Sequence, residues 1–231
     1  MHVAETLTVS SIQGFLDPID LLDLDVALRE VRDDVDRGRL SATARAESVH
    51  SIDGFTTAQA MAVYEPQGRD ELMSLPAGVT AVLDRAAARA LPGLRTVLPS
   101  ARAMTYWTFV SYTEGQFISP HIDLSDNDPD PDRPKVAGLS ICLTDIADYR
   151  GGEFFVETAC DPDQWMTNGT GTPRVRAECD ESSEWYRRQP RTRWRCRPNR
   201  GDAVLYGSQM THGTEPVTAG RIEKFIGFVT A

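Results

Sequence analysis

Past Ser100 the chain becomes a succession of short segments, ARAMTYWTFVSY, VAGLSICLTDI, GGEFFVET, GDAVLYG and RIEKFIGFV, rich in β-branched and aromatic residues and set off by Gly, Pro and Asp. These predict strands. Joined by turns and longer loops, strands this short imply a closed or double-sheet antiparallel architecture, because each sheet face must find cover. The first hundred residues have another texture. Asp17 and Pro18 suit a helix N-cap and first helical position, and Leu21, Leu24, Leu28, Val31 and Val35 then recur at steps of three and four. A second helix is expected from about Pro76 to Leu91, on Val79, Val82, Leu83, Ala86 and Ala90, with Pro92 and Gly93 as its stop. The expected class is α+β: residues 1–100 a mainly helical support, residues 101–231 a β core, together one integrated domain.

A length of 231 residues fits one such domain. The net charge of −10 argues against nucleic acid as a partner, since phosphate backbones need a positive surface that releases counterions. The opening MHVAETLTVSS lacks a basic start and apolar run, and no stretch approaches the ~20 apolar residues that span a bilayer. A cytoplasmic protein without a membrane partner is expected. Cys142, Cys160, Cys179 and Cys196 form no C-x-x-C pair and are expected as free thiols.

Two charged stretches interrupt the strands. Leu124 to Lys135 is acidic, but Pro129 and Pro131 break it and it lacks the glycine and terminal glutamate of a calcium loop. Tyr186 to Arg200 carries seven arginines, read as facing water or paired with the acidic stretch, the alternative being contact with an acidic substrate group.

Of four histidines, His121 and His212 fall in the strand-rich half. In SPHIDLS an extended backbone sends His121 and Asp123 to one face and Ile122 to the other. An imidazole and a carboxylate there, joined by His212 from a neighbouring strand, make a facial set of two histidines and one carboxylate that leaves one side of an octahedral metal open. Zinc in a hydrolytic site uses the same ligand types, so the triad alone does not choose the reaction. Arg221 lies nine residues beyond His212, past Pro216 and Gly220, which suggest a turn returning it toward the metal. Its planar fork suits the far carboxylate of a dicarboxylate whose keto-acid end chelates the metal. Tyr112 offers a phenolic hydrogen bond to the same carboxylate, or is a core tyrosine.

YTEGQFISPHID, LSICLTDIADYRGGEFFV and GDAVLYGSQMTHGTEPVTAGR, in that order, resemble the prolyl 4-hydroxylase-like branch of the iron(II)/2-oxoglutarate oxygenases, over roughly residues 101–231. The resemblance implies a double-stranded β-helix (a jelly roll, cupin-like) with supporting N-terminal helices. It implies His121, Asp123 and His212 as iron ligands, Arg221 and Tyr112 at 2-oxoglutarate, dioxygen as cosubstrate and ascorbate as reductant. Hydroxylation is implied, since related halogenases replace the carboxylate at the place of Asp123 with a small residue. The expected substrate is a small molecule, amino-acid-like or a natural-product intermediate. The alternatives are a prolyl hydroxylase acting on a peptide or protein, and a non-oxygenase metal jelly roll or binding module.

Three features depart from the family pattern or sit beside it. Residues from about 160 to 200 read as an insertion. Glu223 and Phe225 share the face of Arg221, where a buried carboxylate needs a partner. Ser140, Cys142 and Thr144 lie opposite Leu139, Ile141 and Leu143 and are candidates to line the cosubstrate site.

Overall fold

Asp17 caps the first helix as its residue type suggests: its carboxylate accepts from the backbone N–H of Ile19 and Asp20, and Asp20 returns a bond to the Asp17 N–H. The apolar repeat that follows is divided between α1 (Pro18–Ala27) and α2 (Arg29–Asp36), which meet at the fully buried Leu28. The computed structural model describes residues 3–38, 55–123, 134–159, 188 and 191–231. The acidic stretch 124–133, most of the insertion (160–187) and Cys160 and Cys179 lie outside them.

Further helices are α3 (Thr57–Tyr64) and α4 (Ala77–Leu94). α4 runs past the expected stop. The hydrogen bond that Pro92 cannot give would have gone to exposed Ala88, where water is at hand, while continuing the turn brings Leu94 into the core. Buried Asp20 ties α1 to α4 through Arg85 and Arg89.

The strands are β1 (Val9–Ile12), β2 (Asp70–Leu72), β3 (Ala103–Thr113), β4 (Ile118–His121), β5 (Lys135–Cys142), β6 (Tyr149–Gly151), β7 (Phe154–Ala159), β8 (Arg191–Cys196), β9 (Ala203–Gly207), β10 (Thr211–Thr214) and β11 (Val217–Thr230). One sheet has the order β1-β9-β5-β11-β3-β2 with β6 also on β11, and the other is β4-β10-β7-β8. All pairs are antiparallel, in the arrangement of a jelly roll.

The larger sheet separates two interiors. Phe109, Leu139, Ile141, Leu205 and Phe225 pack with Leu24, Leu28 and Leu83 of the helices. The alternate residues, Val110, Tyr112, Cys142, Ile222, Val204 and Tyr206, face the smaller sheet. Ser140 and Cys142 thus turn toward that second interior, and the functional side chains collect there. Cys142 and Cys196 are free thiols. No described helix is long and apolar enough to cross a membrane.

Candidate metal centre

β4 ends at His121, and β10 pairs with it so that His212 stands directly opposite. Opposed residues of an antiparallel pair point to one face, and the two imidazole centres lie 4.3 Å apart. Asp123 follows two residues beyond His121 and brings Oδ1 to 3.7 Å from His121 Nε2 and 3.6 Å from His212 Nε2. One donor atom from each of the three falls within 4.8 Å of the others. The sequence-derived triad converges.

Gly213 lets this row form. A Cβ there would stand 2.5 Å from the Phe155 ring and 2.6 Å from the Ile118 carbonyl, so a side chain would push β10 away from β4 and β7.

The outer atoms fix what the inner ones do. Each histidine directs Nδ1 at a backbone carbonyl two residues earlier, Ser119 for His121 and Met210 for His212, both at 2.9 Å. A carbonyl only accepts, so Nδ1 carries the proton and Nε2 keeps its lone pair for a metal. Burial pushes the imidazoles down, His121 to about 3 and His212 to about 4, so both are neutral at ordinary pH. Asp123 is pushed up, first by burial. Its Oδ2 has no hydrogen-bond partner, and a bound cation would relieve both conditions. The donor set therefore fits a divalent ion held on one face by two nitrogens and a carboxylate.

Sequence reasoning missed Tyr206. Its ring lies 4.0 Å from that of His212, and burial and then the charge of nearby Asp123 push its phenol well above the ordinary range. Space for that ring comes from Gly138, where a Cβ would stand 2.4 Å away.

Tyr112 is buried in the same interior, and its hydroxyl accepts from Arg69 Nη1 at 2.6 Å. Arg69 is itself buried and neutralised by Glu65 at 3.1 Å and Glu71 at 3.4 Å. Burial raises the pKa of Tyr112, which keeps the phenolic proton available for donation.

Arg221 stands elsewhere. It is a partly exposed residue whose Nη1 reaches Asp36 Oδ1 of α2 at 2.6 Å, on the helix side of β11. There it borders a hollow of about 320 Å³ with Asp25, Arg32, Thr144, Arg200 and Glu223. The turn does return the chain, but strand alternation decides the face: Arg221, Glu223 and Phe225 go to the helices, and Ile222, Lys224 and Ile226 to the metal. Glu223 finds its partner in Arg32 at 2.8 Å, while Thr144 accepts from the Glu223 N–H and so belongs to this outer hollow.

Besides Arg69, which its two glutamates neutralise, the cation that β11 sends to the metal side is Lys224. It is 2% exposed, with Nζ 3.1 Å from Thr214 Oγ1 and 3.5 Å from the Gly152 carbonyl, and 5.6 Å from the centre of the Tyr112 ring. Thr214 is two residues along β10 from His212. Burial pushes the Lys224 ammonium down to about 8. None of the described ion pairs includes it, and the nearest carboxylate influence is the weaker, longer-range one of Glu153. The alternation in RIEKFIGFV was the signal for it, since Lys224 is the one basic residue on the face opposite Glu223 and Phe225.

Residues 107–228, more than half of the chain, match the family model of the 2OG-Fe(II) oxygenase superfamily. Among solved structures the fold is similar to a Pseudomonas putida prolyl-4-hydroxylase, at 16% identity and TM-score 0.52, covering 96% of this chain and 91% of that one. It is also similar to a Trichoplax adhaerens prolyl hydroxylase in complex with a hypoxia inducible factor oxygen degradation domain peptide fragment, at 15% identity and TM-score 0.53, covering 96% and 83%. A viral collagen prolyl hydroxylase from Paramecium Bursaria Chlorella virus-1, in a 2OG complex, aligns at 14% identity and TM-score 0.50, covering 100% and 99%. No curated protein matches the sequence.

Proposed function

The chain belongs to the 2OG-Fe(II) oxygenase superfamily, whose members depend on iron(II) and 2-oxoglutarate, and we propose that it hydroxylates an unactivated C–H bond of a small, amino-acid-like or natural-product substrate. The observation that carries the reading is one buried interior holding both a His–Asp–His donor set and a lysine in salt-bridge contact with no described carboxylate.

In this reading His121, Asp123 and His212 hold the iron. Their neutral imidazoles and lone carboxylate leave the opposite side of the metal free for small ligands. Lys224 takes the distal carboxylate of 2-oxoglutarate, the role the sequence suggested for Arg221, because a buried ammonium with neutral partners favours an anion strongly. Thr214 adds a hydroxyl beside it, and Tyr112 donates its phenolic proton to the same ligand while Arg69 holds its oxygen in place. Tyr206 orients Asp123 and shields it from water. With iron, 2-oxoglutarate and dioxygen bound, such a site couples loss of CO2 from the keto acid, leaving succinate, to insertion of one oxygen atom into the substrate C–H bond.

Mass spectrometry of the iron-loaded protein given 2-oxoglutarate, oxygen, ascorbate and a panel of amino acids and peptides tests this. Succinate formed together with a product one oxygen heavier supports it. Succinate with no oxygenated product from any member defeats the hydroxylase assignment for that panel. A second reading, hydroxylation of a prolyl residue in a peptide or protein, has in its favour the fold shared with prolyl hydroxylases. Activity confined to proline-containing peptides would select it.

A further inference from the structure

Within the arginine-rich stretch, Arg191–Cys196 form a strand, β8, with two unlike faces. Among the described residues β8 is the edge strand of the smaller sheet, next to β7. Arg193 and Arg195 point to its outer face, where Arg193 bonds Glu157 and Glu215 and Arg195 bonds Glu215. The alternate residue, Trp194, points inward.

The pairing register shows how far inward. His121 opposes His212, His212 opposes Val156, and Val156 opposes Trp194. Directly opposed residues share a face, so these four form one row across the sheet at the level of the metal ligands. Val156 is buried against Phe154 and Tyr206, whereas Trp194, one strand beyond, is 62% exposed. The chain buries the ring of Trp107 and satisfies its indole N–H with Asp84. Trp194 is left as an open apolar surface on the face where the reaction is placed.

We propose that Trp194 determines substrate specificity: its indole takes an apolar ring of the substrate, at a position two strand spacings, roughly 10 Å of backbone, along the row from His212. The inference rests on the oxygenase reading above and narrows it. The substrate is an elongated molecule with a ring remote from its reacting carbon. An indole face accepts such a ring by offset or edge contact, and ligand sites characteristically combine aromatic walls with a few fixed polar groups.

The test uses the iron(II)-loaded protein with 2-oxoglutarate, without oxygen, and two pairs of probes titrated by calorimetry. One pair is N-(4-phenylbutanoyl)-L-alanine and N-pentanoyl-L-alanine. The other is Ac-Phe-Ala-Ala-Pro-Ala-NH2 and Ac-Ala-Ala-Ala-Pro-Ala-NH2. In at least one pair the phenyl member binds the wild-type protein about tenfold tighter, equivalent to about 1.4 kcal/mol. Trp194→Ala erases that difference and Trp194→Phe keeps most of it. The pair that shows the effect tells whether the ring belongs to a small molecule or a peptide. A ring preference that survives in Trp194→Ala overturns the proposal, and so does its absence from both pairs in the wild-type protein. 2-Oxoglutarate binding by the same wild-type sample reports separately on the oxygenase reading. Its absence defeats that reading, while its presence without a Trp194-dependent ring preference defeats only this one.

Discussion

The two faces of β11 carry charge in opposite ways. Toward the helices, Arg221 meets Asp36, and Glu223 meets Arg32, which also meets Asp25, itself bound by Arg200. Toward the metal ligands, Lys224 has a hydroxyl and a carbonyl for company, and Asp123 keeps one oxygen without a hydrogen bond. A face whose charges are matched internally holds the helices on the sheet. A face whose buried charges lack counterparts is costly unless a ligand supplies them. On this view the inner face is built for a cation and an anion that the chain itself does not contain.

The largest expected effect comes from deleting a donor on the inner side. His121→Ala or His212→Ala is expected to lower iron(II) affinity more than ~100-fold, since loss of an outer hydrogen-bond partner alone costs ~10–100-fold. Succinate formation should cease with it, and anaerobic iron titration checks the first part. Tyr206→Phe removes the phenol that lies beside Asp123, and if it supports that ligand as an outer partner does, a loss of ~10–100-fold in iron affinity is expected by the same titration.

The pH dependence sharpens the contrast at Lys224. Burial lowers its pKa to about 8, below the 10.5 of an exposed lysine, so the ammonium is fully present under pH 8 and lost as pH rises through it. 2-Oxoglutarate affinity is therefore expected to stay level below about pH 8 and then fall by up to about tenfold per pH unit. The sign for stability is the reverse. Between pH 8 and 10.5 the unfolded chain binds the proton more tightly, so the cost of burying this charge fades as pH rises. A 2-oxoglutarate affinity that rises above pH 8 would break the assignment of Lys224.

On the outer face, Arg32→Ala leaves Glu223 buried without its partner, and a loss of about 1–3 kcal/mol in folding stability is expected from chemical denaturation. Iron affinity should hardly move, since Arg32 touches none of the donors. An equal loss of metal binding would show that the two faces are not independent.

Much of this was legible from spacing. His121 and Asp123 share a face because they are two apart in an extended chain, and Asp17–Pro18 announced the first helix through cap chemistry that needs no tertiary context. The apolar repeat after it did not reveal that Leu28 divides two helices, since both lay the same stripe on the core. Arg221 was attractive by residue type and by the turn before it, but the same alternation that places Glu223 with Phe225 also sends Arg221 to the helix side and Lys224 inward. Tyr206 and Arg69 carried no local signal. Each reaches the site through strand neighbours far away in sequence, β9 beside β5 and β2 beside β3.

Calorimetric titration of 2-oxoglutarate into the iron(II)-loaded protein without oxygen, for Lys224→Met and Arg221→Ala side by side, tests the division of β11 most directly. Removing one partner of a buried charge pair costs about 2–5 kcal/mol, so Lys224→Met should bind about 30- to 5,000-fold more weakly. Arg221→Ala, which loses a partly exposed ion pair, should bind within about twofold of wild type. The reverse pattern, with affinity lost in Arg221→Ala and kept in Lys224→Met, would contradict the account.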